Sequence, residues 1–314
     1  MTGSCQHNSC FPDTTCALGH LDRTKCEHWL PQNNETEGIQ SVSDKSDFPW
    51  NGYSLGIKDL AILGGRGRPI VVGLIGAANS GKTSLLMCLW AWILMHGGLS
   101  GWAFCGSWTL GAWESIINYC RWIGEPPPSF PPHTSTTGRV PGLLHLCLRN
   151  ERDVLRDVLF TDAPGEWFTQ WAKNPDDEHA AGAGWVIQHS DILLILADCD
   201  ALANPETLPR ARQATRDITE RVGALAPTIP LIFIWAKVDR ALKPSIKDSL
   251  EINRLQFAPH STVRETTIKD LDSIAAMFSQ GIDLGESQRS HAPQLEPRIS
   301  SEPFLSFRGY YVGS

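Results

Sequence analysis

Residues 70–83 read Ile-Val-Val-Gly-Leu-Ile-Gly-Ala-Ala-Asn-Ser-Gly-Lys-Thr, and an apolar run continues to Met95. The short Val/Ile-rich run has the pattern of a buried strand, and the longer run behind it has helical length. Between them stands GxxxxGKT at positions 76–83. In that order the three pieces make a phosphate cradle. Backbone N–H groups of the Gly-rich turn converge on phosphate oxygens, and the positive end of the following helix adds to them. The expected nucleotide contacts are Gly76, Asn79, Ser80, Gly81, Lys82, Thr83 and Ser84. Lys82 is expected between the terminal phosphates, with the Thr83 hydroxyl on a magnesium ion. The implied ligand class is a nucleoside triphosphate.

Outward from this stretch, further strand-like runs fall at 143–148, 158–161, 192–197 and 231–235. Helical intervals at 82–96, 110–122, 166–189 and 205–224 separate them. Near-continuous apolar strands alternating with helices predict an α/β fold with a mostly parallel sheet covered on both faces. The charged turn after 148 predicts that 143–148 and 158–161 form an antiparallel hairpin at one edge. With 314 residues and 42% hydrophobic content, including 12 Trp and 11 Phe, the chain has enough apolar surface for a large core. The expected organisation is a Cys/His-rich module at 1–30, a polar linker at 31–52, a nucleotide-binding domain at 53–280, and a mobile segment with the C-terminal tail at 281–314. A net charge of −7 argues against an extended nucleic-acid surface. The polar first thirty residues do not have the form of a secretory signal, and no apolar run is long enough to span a bilayer.

Two strand ends downstream carry the rest of the chemistry. The run at 158–161 leads into Asp162-Ala163-Pro164-Gly165-Glu166, and 231–235 leads into Ala236-Lys237-Val238-Asp239. An acidic residue at a strand end can hold magnesium opposite a phosphate loop. The chain resembles the translation-factor-related and Ras-like P-loop GTPases at these residues. DxPG matches their second switch motif, and Ala-Lys-Val-Asp matches their Asn-Lys-x-Asp specificity motif except at position 236. The resemblance implies the three-layer P-loop NTPase sandwich. It also implies Asp162 beside magnesium, Gly165 near the γ-phosphate, and Lys237 and Asp239 on a guanine base. Ala236 lacks the contacts an Asn supplies, which weakens affinity by about 1 kcal/mol per neutral hydrogen bond.

Glu166 stands where Ras-like members carry a water-orienting glutamine, and it is read either as a catalytic group beside Lys82 or as a cap on the next helix. The Pro-rich stretch between Trp122 and Leu143 occupies the position of the first switch loop, with Thr137, Thr136 or Thr134 as its magnesium ligand. A fifth, base-contacting motif is expected near 257–261.

The remaining constellation is N-terminal: Cys5, Cys10, Cys16, His20, Cys26 and His28. Such ligand density suits a small metal-stapled module, so structural zinc is expected on four of them, with the cysteines preferred over His20 or His28. The other cysteines sit in apolar runs and read as core, and Asp198 and Asp200 read as a loop start. The Cys-rich leader and the DxPGE form resemble the double-GTPase proteins of bacterial conflict (defence) systems. The resemblance implies a cytoplasmic switch that binds GTP or GDP and hydrolyses GTP slowly with magnesium. It would signal to a protein partner through its switch segments, with no nucleic acid as partner. An ATPase and a non-hydrolysing scaffold remain the alternatives.

Overall fold

The computed structural model describes residues 3–5, 22, 25–26, 29–31, 54–63, 67–121, 129 and 141–287. The chain divides into two units, Met1–Asp47 and Phe48–Ser314. In the first, β1 (Gly3–Cys5) pairs antiparallel with β2 (Trp29–Pro31), Cys5 opposite Trp29. The Trp29 N–H closes a turn onto the Cys26 carbonyl, and the Cys26 side chain is buried.

The second unit opens with a 3-10 turn at Ile57–Asp59 and the short α1 (Leu60–Leu63). Its centre is an eight-stranded sheet in the order β10-β9-β8-β3-β7-β6-β5-β4. The strands are β3 (Ile70–Ile75), β4 (Gly98–Leu99), β5 (Trp102–Gly106), β6 (Gly142–Asn150), β7 (Leu155–Asp162), β8 (Ile192–Asp198), β9 (Leu231–Ala236) and β10 (Thr262–Thr266). From β10 through β7 every neighbouring pair is parallel; β6, β5 and β4 extend the sheet antiparallel.

Parallel strands need crossover helices, and these cover both faces. One face carries α2 (Lys82–His96), α3 (Leu110–Asn118) and α9 (Leu271–Ser287). The other carries α4 (Gly165–Lys173), α5 (Ala181–His189), α6 (Cys199–Ala203), α7 (Leu208–Leu225) and α8 (Pro244–Phe257). The period-2 geometry of a strand splits β8 between the layers: Ile192, Leu194 and Leu196 enter the α2/α9 core, while Leu193, Ile195 and Ala197 enter the opposite one. This is the expected α/β sandwich, and its strands read as continuous apolar runs because both faces are buried.

Four expectations about elements are corrected. The helical interval 166–189 is two helices, because a turn closed from Asn174 to Asp177 around Pro175 and a 3-10 turn at Glu178–Ala180 interrupt it before α5. The β6–β7 hairpin is antiparallel as expected but lies inside the sheet, since β5 and β4 continue beyond it. Strand β10 was not anticipated; its Thr-Val-Arg-Glu-Thr sequence is half exposed at a sheet edge and so lacks an apolar run. Residues 281–287, expected in the mobile segment, instead complete α9, where Gly281, Ile282 and Gly285 are buried; residues 288–314 lie outside the described ones. Among the described residues no helix is long and apolar enough to cross a membrane.

A buried polar knot fixes the antiparallel extension. The Trp108 backbone N–H donates to His145 Nδ1 at 2.9 Å, so Nε2 carries the proton and donates to Asp157 Oδ1 at 2.9 Å. The His145 carbonyl accepts from Trp113 Nε1 at 2.9 Å. Trp113 in turn stacks on Trp90 of α2 and meets Phe160 of β7 edge-on. Aromatic packing of this kind contributes about 0.5–1.5 kcal/mol per pair beyond burial.

Candidate nucleotide site

The loop after β3 turns through two left-handed residues, Asn79 (φ 63°) and Gly81 (φ 97°), before α2 begins at Lys82. Gly81 meets that conformation without Cβ strain, and Asn tolerates it better than most side chains. Lys82 is buried and donates to the Gly76 carbonyl at 3.0 Å and the Ala77 carbonyl at 3.1 Å. Its ammonium also lies 5.8 Å from the centre of the Phe168 ring. Burial lowers its pKa to about 8, against the opposing pull of Asp162 and Glu166. Ser80 Oγ is buried and has no hydrogen-bond partner among the described residues. A polar atom left open in this way, on a residue that lines a cavity, suits an external ligand oxygen.

Asp162 closes β7 beside β3, and its Oδ1 accepts from Thr83 Oγ1 at 3.0 Å. Hard oxygen donors of this kind fit magnesium. Two residues on, Pro164 precedes α4, and Gly165 lies directly on the loop: a Cβ there would overlap the Ala78 nitrogen and the Ala77 carbonyl group. Only glycine permits that approach. Behind it α4 is anchored rather than free. Trp167, Phe168 and Trp171 are buried, and Arg221 of α7 donates to the Ala172 carbonyl at 3.2 and 3.0 Å.

The opposite wall comes from the ends of β9 and β10. Lys237 is left-handed (φ 61°) and donates from Nζ to the Asn79 carbonyl and to Asp198 Oδ2, each at 2.7 Å. Asp239 accepts from Thr267 Oγ1 at 3.0 Å, and its second oxygen lies 3.3 Å from Lys269 Nζ. The Thr267 hydrogen bond, with Lys269 assisting, holds the Asp239 carboxyl below the usual aspartate range. Val238 N–H donates to the Thr266 carbonyl, tying the two loops together.

These walls enclose a cavity of about 520 Å³, lined from the phosphate loop, the start of α4, and the β9 and β10 loops. Its size is that of a small-molecule site, and its place is the carboxyl end of a parallel sheet, where α/β folds bind ligands. Comparison with known proteins accords with the geometry. The family model for Double-GTPase 2 matches residues 70–286. The chain belongs to the Double-GTPase 2 family. Among solved structures it is similar to nucleolar GTP-binding protein 1 from Plasmodium falciparum, at 11% identity and a TM-score of 0.40, over 70% of this chain and 87% of that one. No curated protein gives a significant match.

As a Double-GTPase 2 member, the protein is a P-loop GTPase of the double-GTPase type, GTP-binding and switch-like in class. Within it, the structure brings Asn79, Ser80, Gly81, Lys82, Thr83, Ser84, Gly165, Glu166, Lys237 and Asp239 to one cavity. Gly76 lies beneath it as an acceptor for Lys82, and Asp162 joins it through Thr83. Thr134, Thr136 and Thr137 lie outside the described residues.

The fifth motif is corrected. Residues 257–261 end α8 and enter β10, at the far end of a strand parallel to β9, whereas Thr267, Ile268 and Lys269 at its carboxyl end line the cavity. The available signal was Thr-x-Lys following a strand, masked because β10 has no apolar run. Asp198 was also missed as a site residue; it reads as a loop start, and it does cap α6.

The described residues hold no zinc site. Among the described residues no group of three or more His, Cys, Asp or Glu could hold a metal. Cys10, Cys16, His20 and His28 lie outside them, the side chain of Cys5 does too, and Cys26 is a buried free cysteine.

Proposed function

We propose that this family member binds GTP with magnesium in the 520 Å³ cavity, hydrolyses it slowly to GDP and phosphate, and works as a switch read by a protein partner. The observation that carries the reading is convergence: loops from the ends of β3, β7, β9 and β10 meet around one cavity, with a phosphate pole at Lys82 and a carboxylate pole at Asp239. Asp239 lines the cavity and its carboxylate only accepts hydrogen bonds, so it suits a donor edge such as the N1–H and amino group of guanine, which adenine does not present. Lys82 binds phosphate by exchanging its Gly76 and Ala77 carbonyl acceptors for phosphate oxygens. Thr83 and Asp162 would hold the magnesium, which when bound offsets phosphate charge.

Gly165 supports switching, because its contact with Ala77 and Ala78 makes the start of α4 the first element to sense an occupied loop. Glu166 lines the same cavity, and as a carboxylate it orients water less favourably beside a phosphate than a neutral amide does. Turnover on the order of 10⁻⁴ to 10⁻² per second is the rate expected of such a site before a partner accelerates it. A cytoplasmic setting and a role in a bacterial conflict system belong to the same reading, the latter on the resemblance of the Cys-rich leader and the DxPGE form.

Nucleotide competition with phosphate release tests the proposal. Labelled GTP should be displaced by GTP and GDP far better than by ATP, and phosphate should appear slowly. Equal displacement by ATP refutes the guanine assignment. Tight GTP binding with no phosphate over hours leaves a non-hydrolysing scaffold.

A further inference from the structure

We infer that Asp198 is a positioning residue for the base-binding loop, acting through Lys237 in place of the polar side chain that position 236 lacks. The inference rests on the GTP reading above. Asp198 and Ala236 are register partners on the parallel strands β8 and β9, so the carboxylate stands directly beside the alanine. Ala236 is buried, lines the cavity and offers only a methyl group.

The next residue carries the tie instead. Lys237 Nζ bridges Asp198 Oδ2 and the Asn79 carbonyl, both at 2.7 Å, and so spans from β8 to the phosphate loop. Its left-handed backbone is an uncommon one for lysine, and these two bonds offset that strain.

Asp198 is itself fixed from behind. Its Oδ1 accepts from the N–H groups of Asp200 at 3.0 Å and Ala201 at 3.2 Å, capping α6. One carboxylate therefore divides its oxygens: one holds a helix, the other holds Lys237. The resulting chain runs from α6 through Asp198 and Lys237 to Asn79. Asp239, two residues past Lys237, inherits its place from that chain.

Asp198→Asn separates the two duties. Asparagine caps a helix as well as aspartate, but its amide nitrogen donates and cannot accept from an ammonium. Affinities for GTP and ATP, with magnesium, would be measured for wild type, Asp198→Asn, Lys237→Met and the double variant, beside thermal melts without nucleotide. The expected result is about tenfold weaker GTP binding for Asp198→Asn, the scale of losing one charge-assisted hydrogen bond, with a cooperative melt retained and no further loss when it is added to Lys237→Met. Wild-type GTP affinity in Asp198→Asn, or losses that add in full in the double variant, would overturn the inference. If Asp198→Asn does not fold, Asp198→Ser caps α6 and lacks the second acceptor, and the same outcomes apply. The wild type is measured first: if it binds no GTP, it is the GTP reading itself that fails.

Discussion

Thr83 Oγ1 donates to Asp162 Oδ1 at 3.0 Å, joining the first turn of α2 to the end of β7 across 79 residues of chain. The pair places two hard oxygens side by side at the phosphate pole. Thr83→Ala should weaken magnesium–GTP binding about tenfold or more and raise the magnesium concentration needed for half-maximal binding. Titration of nucleotide binding against magnesium reads this directly, and an unshifted magnesium requirement would remove Thr83 from the ion's surroundings. Lys82→Ala should abolish binding outright.

Gly165→Ala puts a methyl group into the Ala77–Ala78 backbone. The start of α4 must then move, while Trp167, Phe168 and Trp171 keep the remainder of the helix in the core. The expected outcome is a folded protein, destabilised by about 1–3 kcal/mol, with phosphate release reduced more than GTP affinity. Denaturant melts and single-turnover assays separate the two effects.

Trp171→Ala tests the anchorage of α4. The side chain is 2% exposed within the α4/α5/α7 layer. Truncation should cost about 3–5 kcal/mol, and a loss under 1 kcal/mol in chemical denaturation would show that α4 is not anchored as described.

Thr267 holds the Asp239 carboxyl below its ordinary pKa of 3.8, with Lys269 assisting. A depressed folded-state pKa contributes stability above pH 3.8 that is lost as pH falls through the lower folded midpoint. Thr267→Val should therefore raise the Asp239 midpoint toward 3.8 in a carbon-detected NMR titration. It should also weaken GTP binding, since the carboxylate loses its fixed orientation.

Cysteine reactivity follows burial. Burial, foremost, pushes the Cys199 thiol up to about 12 and the Cys88 thiol up to about 11, while Cys105 is exposed. Because the thiolate is the nucleophile, a maleimide at pH 8 should label Cys105 well before Cys88 or Cys199, read by peptide mass mapping. Early labelling of Cys199 would contradict the packing of α6 under the sheet.

The segment from Ile70 to His96 was legible in the sequence because its function is local. The strand, the left-handed turn at Asn79 and Gly81 and the helix that follows are contiguous, so the backbone donors of the cradle are specified by neighbouring residues. Asp162, Gly165, Lys237 and Asp239 were legible for a related reason: each follows an apolar run, and the ends of buried parallel strands collect on one side of a sheet.

Partnerships between those ends were not legible. Asp198 meets Lys237 from 39 residues away, and Thr267 meets Asp239 from 28. Both contacts exist only because β8, β9 and β10 are neighbours in the sheet, and an order of strands is not written in any strand's own periodicity. The same holds for β4 and β5, whose place beside β6 depends on the His145–Asp157 knot and the tryptophans packed around it. The sequence by itself determined the triphosphate cradle and the sheet's parallel character. Only the tertiary structure decided which side chain holds each loop of the site, because those bonds join residues that the chain keeps far apart and the sheet brings within reach.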